Sequence, residues 1–308
     1  MIYEYAIEPD LAVNWGRDRG EYRYYYEKFG IGTPRMMAEF PKLKNWRKLF
    51  KQAAAGADET NELPLIEEMF KLLKAKLIYR EGVAYDGTCS WLENAEAENK
   101  RQAFQAILAR TNPGQRANVL TPGSIDDSPF WQVKTQNYCP RQAIDMAELV
   151  AAMLVNCSEI HFIDPYFGPE IVRFRRPLEA FIQVLSTRRI CRPAIQKITI
   201  HTSEKAPIFT FRQTCEEKIK SKIPQGLCVT FYRWKQRQDS EKLHNRYILT
   251  DIGGIKVDPG MDDGKAGENF EVILLERTLY EKQWKDFVEK PAFDLSEDPF
   301  TIIGNCET

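Results

Sequence analysis

An imidazole and a guanidinium stand two residues apart in the stretch that begins at His244 and ends at Asp251. In a β-strand, side chains i and i+2 point to the same face, so His244 and Arg246 would project side by side and Asn245 away from them. Arginine offers a permanently charged fork that fits phosphate oxygens, and neutral histidine can attack phosphorus or move a proton near neutral pH. The pair predicts a phosphodiester site, in which Asp251 either orients the imidazole or begins the turn that two glycines complete.

The spacing His-x-Arg-x4-Asp resembles the His-x-Lys-x4-Asp signature of the phospholipase D superfamily, with Arg246 where the family has lysine. The segment from Ile160 to Tyr166 resembles the strand ending in Asp-Pro-Tyr that opens phospholipase-D-like domains. The segment from Asn269 to Leu275 resembles the strand that follows the motif. The resemblance covers residues 141–290, to a first approximation, and adds three substrate-binding candidates, which are Asp164, Tyr166 and Glu271.

This resemblance implies a metal-independent mechanism. His244 would attack phosphorus to form a covalent phosphohistidine, and a second histidine would protonate the leaving oxygen. Arg246 and a nearby Asn or Ser would hold the non-bridging oxygens, which makes Asn245 a further substrate-binding candidate. Family enzymes bring two motifs to one site, within one chain or across a homodimer, whereas this chain has a single copy. The second histidine would then be His244 of the partner subunit or, less readily, His201. Similar domains are common in prokaryotic defence proteins, and one in a eukaryotic membrane-trafficking adaptor binds phosphoinositide membranes.

The composition excludes several other functional classes. The formal net charge of -1 gives no global electrostatic reason to bind nucleic acid, although residues 15–51 hold ten basic and four acidic side chains. Seven cysteines without a Cys-x2-Cys pair, and three histidines, predict neither a zinc site nor a disulfide framework, and no cofactor is expected. No signal-peptide pattern and no apolar run of about 18 residues occurs, so a reduced cytoplasmic compartment is expected.

Two parts of the chain differ in periodicity. Residues 1–140 are expected to form a mainly helical N-terminal domain, because apolar residues recur at helical spacing over 63–79 and 90–110. Residues 141–308 alternate between strand and helix patterns, which predicts an α/β layered domain, and an α+β chain overall, with ligands at strand ends. Strands are predicted at 159–164, 196–202, 227–234, 247–250, 254–257 and 270–275, and helices at 143–157, 170–186, 209–223 and 278–289.

Further polar residues allow both a site role and a structural role. His201 ends a predicted strand beside Lys205, which could donate to an anion, but a lone histidine at a strand end is more often structural. Asp164 either closes an Asx-type turn or holds Arg246 through a bidentate contact. A basic loop with an embedded tryptophan precedes His244 and is the best local indication of a polyanionic substrate. The loop contributes Arg233, Trp234, Lys235, Arg237 and Lys242.

These features support two functions. The first is a non-catalytic module that binds nucleic acid or a lipid phosphate. It would scaffold a prokaryotic defence complex through the helical N-terminal half, as a homodimer or with other subunits. The alternative is a metal-independent nuclease with His244, Arg246 and Asp251 as catalytic residues. The single motif favours binding, because acid and base roles need two groups.

Overall fold

The computed structural model describes residues 1–75, 77–188, 194–205, 207–238 and 242–305. Cys191 and Cys306 lie outside the described residues. The chain divides into two compact units, one formed by Ile2–Lys134 and the other by Thr135–Thr308 together with Met1.

The first unit combines helices with a parallel sheet. Within its described residues, four strands run parallel in the order β2-β1-β3-β4. Its elements are β1 (Tyr3–Ile7), α1 (Pro9–Arg17), α2 (Arg19–Lys28), β2 (Arg35–Met37), α3 (Leu43–Ala53), α4 (Leu63–Ala75), α5 (Trp91–Arg101), β3 (Ala106–Leu108) and β4 (Val119–Leu120).

The expectation of a mainly helical first domain missed this sheet. The helix predicted over 90–110 ends at Arg101, and the apolar residues of β3 that follow it belong to a strand in which every side chain is buried. A short run of consecutive apolar residues suits a fully buried parallel strand as well as a helix, so periodicity alone does not separate the two. The start of α5 was clearer, because Ser90 and Glu93 form a reciprocal capping box there.

The second unit has the predicted α/β architecture. Its described strands form a nine-stranded mixed sheet in the order β12-β8-β7-β6-β9-β10-β11-β5, with β13 also pairing β8. The strands are β5 (Gln136–Pro140), β6 (Glu159–Ile163), β7 (Lys197–Ser203), β8 (Cys228–Lys235), β9 (Arg246–Thr250), β10 (Gly253–Asp258), β11 (Asn269–Leu274), β12 (Asp294–Leu295) and β13 (Phe300–Ile303). The helices are α6 (Ala143–Asn156), α7 (Val172–Thr187), α8 (Ile208–Lys218) and α9 (Arg277–Trp284), with a 3-10 turn at Lys220–Lys222 and a π turn at Lys285–Glu289.

Helices cover both faces of this sheet. On β6, Phe162 stacks on Phe181 of α7, and the preceding residue, His161, contacts Trp284 of α9. Successive strand residues point to opposite faces, so α7 and α9 lie on opposite sides. The parallel strands β6, β7 and β8 end at one edge, and the antiparallel strand β9 begins at that same edge. None of the described helices is long and apolar enough to cross a membrane.

Candidate functional site

Polar and charged side chains surround the phenol ring of Tyr166 at the edge of the sheet where β6, β7 and β8 end. The Tyr166 hydroxyl lies 3.0 Å from His244 Nδ1, and the Arg246 guanidinium carbon lies 4.5 Å from the ring centroid. Lys205 Nζ lies 3.5 Å from the same centroid. An aromatic face attracts cations through its quadrupole, so the ring can hold both charged groups beside the imidazole. We call Tyr166, Lys205, His244 and Arg246 the Tyr166 cluster.

Strand ends of the sheet position this cluster. Tyr166 follows β6 in a turn that Asp164 closes, because its Oδ1 accepts a hydrogen bond of 2.9 Å from the Tyr166 amide. Lys205 follows β7, and Ser203 Oγ donates to the Pro165 carbonyl at 2.6 Å, which ties the two turns together. Arg246 opens β9, which runs antiparallel to β6. The three segments therefore meet at the carboxyl ends of β6 and β7, where α/β sheets bind ligands.

Asp164 is buried under the cluster, with 3 % of its surface exposed. Burial raises the pKa of its carboxyl, while the nearby charge of Arg246 opposes that shift. Its second oxygen accepts a hydrogen bond of 3.3 Å from the Met261 amide. Of the two roles that the sequence allows, the structure shows the Asx-type turn, and Arg246 acts on the Asp164 carboxyl through its charge and not through a bidentate contact.

The cluster is electropositive. Among the described residues, no carboxylate lies within ion-pair distance of Arg246 or Lys205, and no group accepts a hydrogen bond from the buried Arg246 Nε. Lys242 is exposed near His244, whereas Lys235 is paired with Glu204 at 3.4 Å. Two cations without an ion-pair partner among the described residues, held on one phenol ring beside an exposed imidazole, form a site that fits a phosphate oxygen.

Asp251 does not belong to the cluster. His244 precedes β9 and Asp251 follows it, so about 17 Å of strand separates Arg246 from Asp251. The Asp251 carboxylate accepts hydrogen bonds from the Ser158 amide at 2.8 Å and hydroxyl at 2.7 Å, and from the Glu159 amide at 3.2 Å. The prediction that Asp251 lies in the site with His244 is therefore wrong. The motif from His244 to Asp251 spans all of β9, which places its two ends at opposite ends of the strand. Its carboxylate anchors the start of β6.

This placement makes a prediction about Asp251→Ala. The variant loses three accepted hydrogen bonds, two of them from backbone amides, so its unfolding free energy should fall by about 1–3 kcal/mol. Its affinity for a polyanion should stay at the wild-type value. Urea denaturation and an anisotropy titration check the two halves, and the more conservative Asp251→Asn should lose less. A selective loss of ligand affinity at unchanged stability would instead return Asp251 to the site.

His201 is a core residue and not part of the site. It is 1 % exposed, its Nε2 lies 2.9 Å from His161 Nδ1, and its Nδ1 accepts a hydrogen bond of 3.0 Å from Trp234 Nε1. Burial lowers its pKa well below the ordinary value, so it stays neutral. The role of His201 as a second, proton-donating histidine is contradicted, because both its ring nitrogens face protein groups inside the core.

Two arginines of the predicted basic loop form ion pairs within the protein. Arg233 is 2 % exposed, pairs with Glu297 at 2.8 Å and lies over Phe211. Arg237 pairs with Asp294 at 2.7 Å and donates to two backbone carbonyls near it. Neither therefore supplies the substrate contact that its position in sequence predicts. Arg233 lies within β8, where alternate side chains are buried, and only the exposed residues of a basic stretch can reach a ligand.

Two other candidates take no part in the hydrogen bond and the cation–π contacts that define the cluster. Asn245 lines a small crevice with His244 and Phe287 on one side of β9. Glu271 is on β11, two strands from β9, and its carboxylate contacts Gln136 of the neighbouring strand β5. The sequence suggested Lys205 only as an anion donor beside His201, whereas the structure places it on the Tyr166 ring, beside His244 and Arg246. Its position just after a predicted strand, beside a second strand end, was the available signal.

Comparison with known proteins gives structural similarities and no sequence match. No family model and no curated protein matches this chain. Nuc from Salmonella typhimurium, a phospholipase D family member, is 13 % identical with a TM-score of 0.33, over 53 % of this chain and 97 % of that one. A phosphatidylserine synthase from Haemophilus influenzae is 8 % identical with a TM-score of 0.34, and the match covers 52 % of this chain and 37 % of that one. The archaeal chromatin protein TrmBL2 is 12 % identical with a TM-score of 0.27, and the match covers 52 % of this chain and 54 % of that one.

Proposed function

We propose that the second unit is a phospholipase-D-like module that binds the phosphodiester backbone of a nucleic acid through the Tyr166 cluster. The observation that carries the proposal is the pair of cations, Arg246 and Lys205, held on one phenol ring without a carboxylate partner among the described residues. The motif resemblance supplies the superfamily. The same resemblance supplies the setting that we attach to the proposal, a scaffold in a prokaryotic defence complex.

Binding fits the cluster better than catalysis does. The chain has three histidines, and two of them, His161 and His201, contact each other in the core. The remaining His244 meets a neutral phenol hydroxyl at Nδ1, whereas an activated imidazole is usually oriented by a carboxylate. A nucleic acid presents many phosphates, and contacts from arginine and lysine to them give affinity without any proton transfer.

Substitutions in the cluster test this proposal. We expect Arg246→Ala and Lys205→Ala each to weaken binding of a fluorescent single-stranded oligonucleotide about tenfold or more, because each removes a charged donor to phosphate. The slope of log affinity against log salt should become shallower by about one ion for each variant. Lys218→Ala, an exposed lysine on α8, is the matched control and should bind like the wild type. Anisotropy titrations at several salt concentrations give both quantities.

The same titrations separate the possible ligands. DNA and RNA of one sequence distinguish the two nucleic acids, and vesicles with a phosphoinositide distinguish a lipid phosphate. If no polyanion binds at low salt, or if Lys218→Ala weakens binding as much as Arg246→Ala, the cluster is not the site.

A nuclease is the second candidate, and the exposure of His244 beside Arg246 is the observation that favours it. The second histidine would have to be His244 of the partner subunit. For His244 Nε2 to attack phosphorus, the proton of the neutral ring must be on Nδ1. The Nδ1–H group then donates a hydrogen bond to the Tyr166 hydroxyl oxygen. Cleavage in EDTA that disappears in His244→Ala while binding persists would establish this activity. Absence of cleavage, with oligonucleotide binding that His244→Ala hardly changes, would leave the binding module.

A further inference from the structure

A cavity opens between α3 and α4 of the first unit. Its volume is about 470 Å³, which lies in the range of sites that hold small organic ligands. The cavity has an apolar floor and a charged rim, and we call it the α3/α4 pocket. It is lined by Arg47, Phe50, Lys51, Ala54, Leu63, Ile66, Glu67, Phe70, Lys71 and Lys74.

The floor is formed by aromatic and aliphatic side chains of α3 and α4. Phe50 lines the pocket and stacks at 5.0 Å between ring centroids on Trp46, a buried residue four positions earlier on α3 that supports the floor without lining it. The ring centroid of Phe70, on α4, lies 5.3 Å from that of Phe50 and 6.1 Å from that of Trp46, so the three rings form one aromatic cluster. Ile66, which also lines the pocket, is buried, and Phe70 is half-buried. No described residue with a neutral polar side chain lines the pocket, so side-chain hydrogen bonds to a ligand come from the charged rim.

The rim is basic. Arg47 and Lys74 lie over the Phe70 ring at 5.7 Å and 5.3 Å from its centroid. Lys71 is paired with Glu68 at 2.7 Å, and Glu67 is the acidic residue of the lining. Arg47, Lys51 and Lys74 form no ion pair with any described residue. Three exposed cations with their charge unmatched therefore surround an apolar floor.

We propose that the α3/α4 pocket binds a single-chain amphiphilic anion from solution, with its hydrocarbon chain on the aromatic floor and its carboxylate or phosphate among Arg47, Lys51 and Lys74. The charge complementarity of the rim selects an anion, and burial of methylene groups supplies the apolar part of the affinity. A nucleobase fits less well, because its polar edges would lose hydrogen bonds to water where they lie on the aromatic and aliphatic side chains of the floor. Phospholipid vesicles are a different source of the same chemistry and form a separate arm of the test.

Calorimetric titration of the 308-residue chain with dodecanoate, below the micelle concentration of dodecanoate, tests the proposal. We expect one binding site and a negative heat-capacity change, because apolar surface is buried. Octanoate should bind more than tenfold more weakly, since it lacks four methylene groups. Dodecyltrimethylammonium, which has the same chain and the opposite charge, should not compete.

Charge-reversal variants locate the site. Lys51→Glu and Lys74→Glu should each weaken dodecanoate binding at least tenfold. Lys48→Glu makes the same change on an exposed residue of α3 outside the pocket, and should bind as the wild type does. Ala54→Phe should abolish binding by filling the cavity. Thermal melts monitored by circular dichroism show that each variant is folded, and the charge reversals, which lie on exposed side chains, keep the test valid if Ala54→Phe does not fold.

Several outcomes would overturn the proposal. They are absence of dodecanoate binding, equal loss in Lys48→Glu, and equal affinity for dodecyltrimethylammonium, which would indicate binding without charge selection. Tighter binding of adenosine monophosphate than of dodecanoate would overturn the assigned ligand class. Binding to anionic phosphatidylglycerol vesicles without binding of monomeric dodecanoate would replace the soluble ligand by a membrane surface.

Discussion

Replacing Arg80 by methionine is expected to reduce the unfolding free energy of the first unit by about 3–5 kcal/mol. Arg80 is 1 % exposed, and its guanidinium lies over the Phe104 ring. It pairs with Glu4 at 2.9 Å and with Glu98 at 3.1 Å, and it also donates to the Gln102 carbonyl. Removing the cation leaves carboxylates with less compensation in a buried setting, where an uncompensated charge is costly.

Paired substitutions identify the cause of that loss. Glu98 is 4 % exposed and keeps Arg101 as a partner, so Arg80→Met should still fold. If the uncompensated carboxylate causes the loss, the double variant Arg80→Met/Glu98→Gln should recover part of it, and a double-mutant cycle from urea denaturation measures the coupling. A loss below about 1 kcal/mol in Arg80→Met would mean that the network contributes no more than an ordinary surface contact.

The second large effect is loss of stability in mild acid, and its source is the buried pair His161 and His201. Tryptophan can only donate, so His201 Nδ1 must accept from Trp234 and the proton of neutral His201 sits on Nε2. That proton is donated to His161 Nδ1, and His161 in turn donates from Nε2 to Glu159 at 2.9 Å. The chain of hydrogen bonds from Trp234 to Glu159 is complete only when both rings are neutral.

The direction of the pH effect follows from the pKa shifts. Burial, as the largest cause, lowers the pKa of both rings in the folded protein, and the charge of Lys197 lowers them further. The unfolded chain then binds more protons below about pH 6.5, so the unfolding free energy falls as the pH falls through that value, by at most about 1.4 kcal/mol per pH unit for each ring. Hydrogen bonds from His161 and Lys197 lower the pKa of Glu159 to about 2, which adds a separate loss below pH 4.5.

Urea denaturation between pH 7.5 and pH 5 measures this effect. In His161→Gln, the amide can replace the hydrogen bonds of the ring without titrating, so the slope of stability against pH should fall by about half. Nitrogen-15 spectra of the imidazoles should show both rings protonated at Nε2. A slope that His161→Gln leaves unchanged, or a ring protonated at Nδ1, would contradict the assignment. His161→Gln should leave oligonucleotide binding intact, because the pair lies outside the Tyr166 cluster.

Local patterns in the sequence predicted most of the second unit. The helical runs around Met146 and Phe181 and the strands that end near Asp164 and Ser203 are found where they were expected, because one face of each element is apolar at the matching period. The first unit was harder. Its strands are two to five residues long and mostly buried, and only the pairing of β1 with β2 and β3 distinguishes them from helix or loop.

The sequence by itself determined that His244, Arg246 and Tyr166 carry suitable chemistry, because their types and their positions at strand ends can be read along the chain. Only the tertiary structure decided which side chains meet. Strand order brings Lys205 onto the Tyr166 ring, while the length of β9 carries Asp251 to the other end of the sheet. Burial commits His201 and Arg233 to the core. The physical reason is that a site is defined by contacts between strands, and strand order, register and the partner of each buried charge are set by packing across the whole sheet.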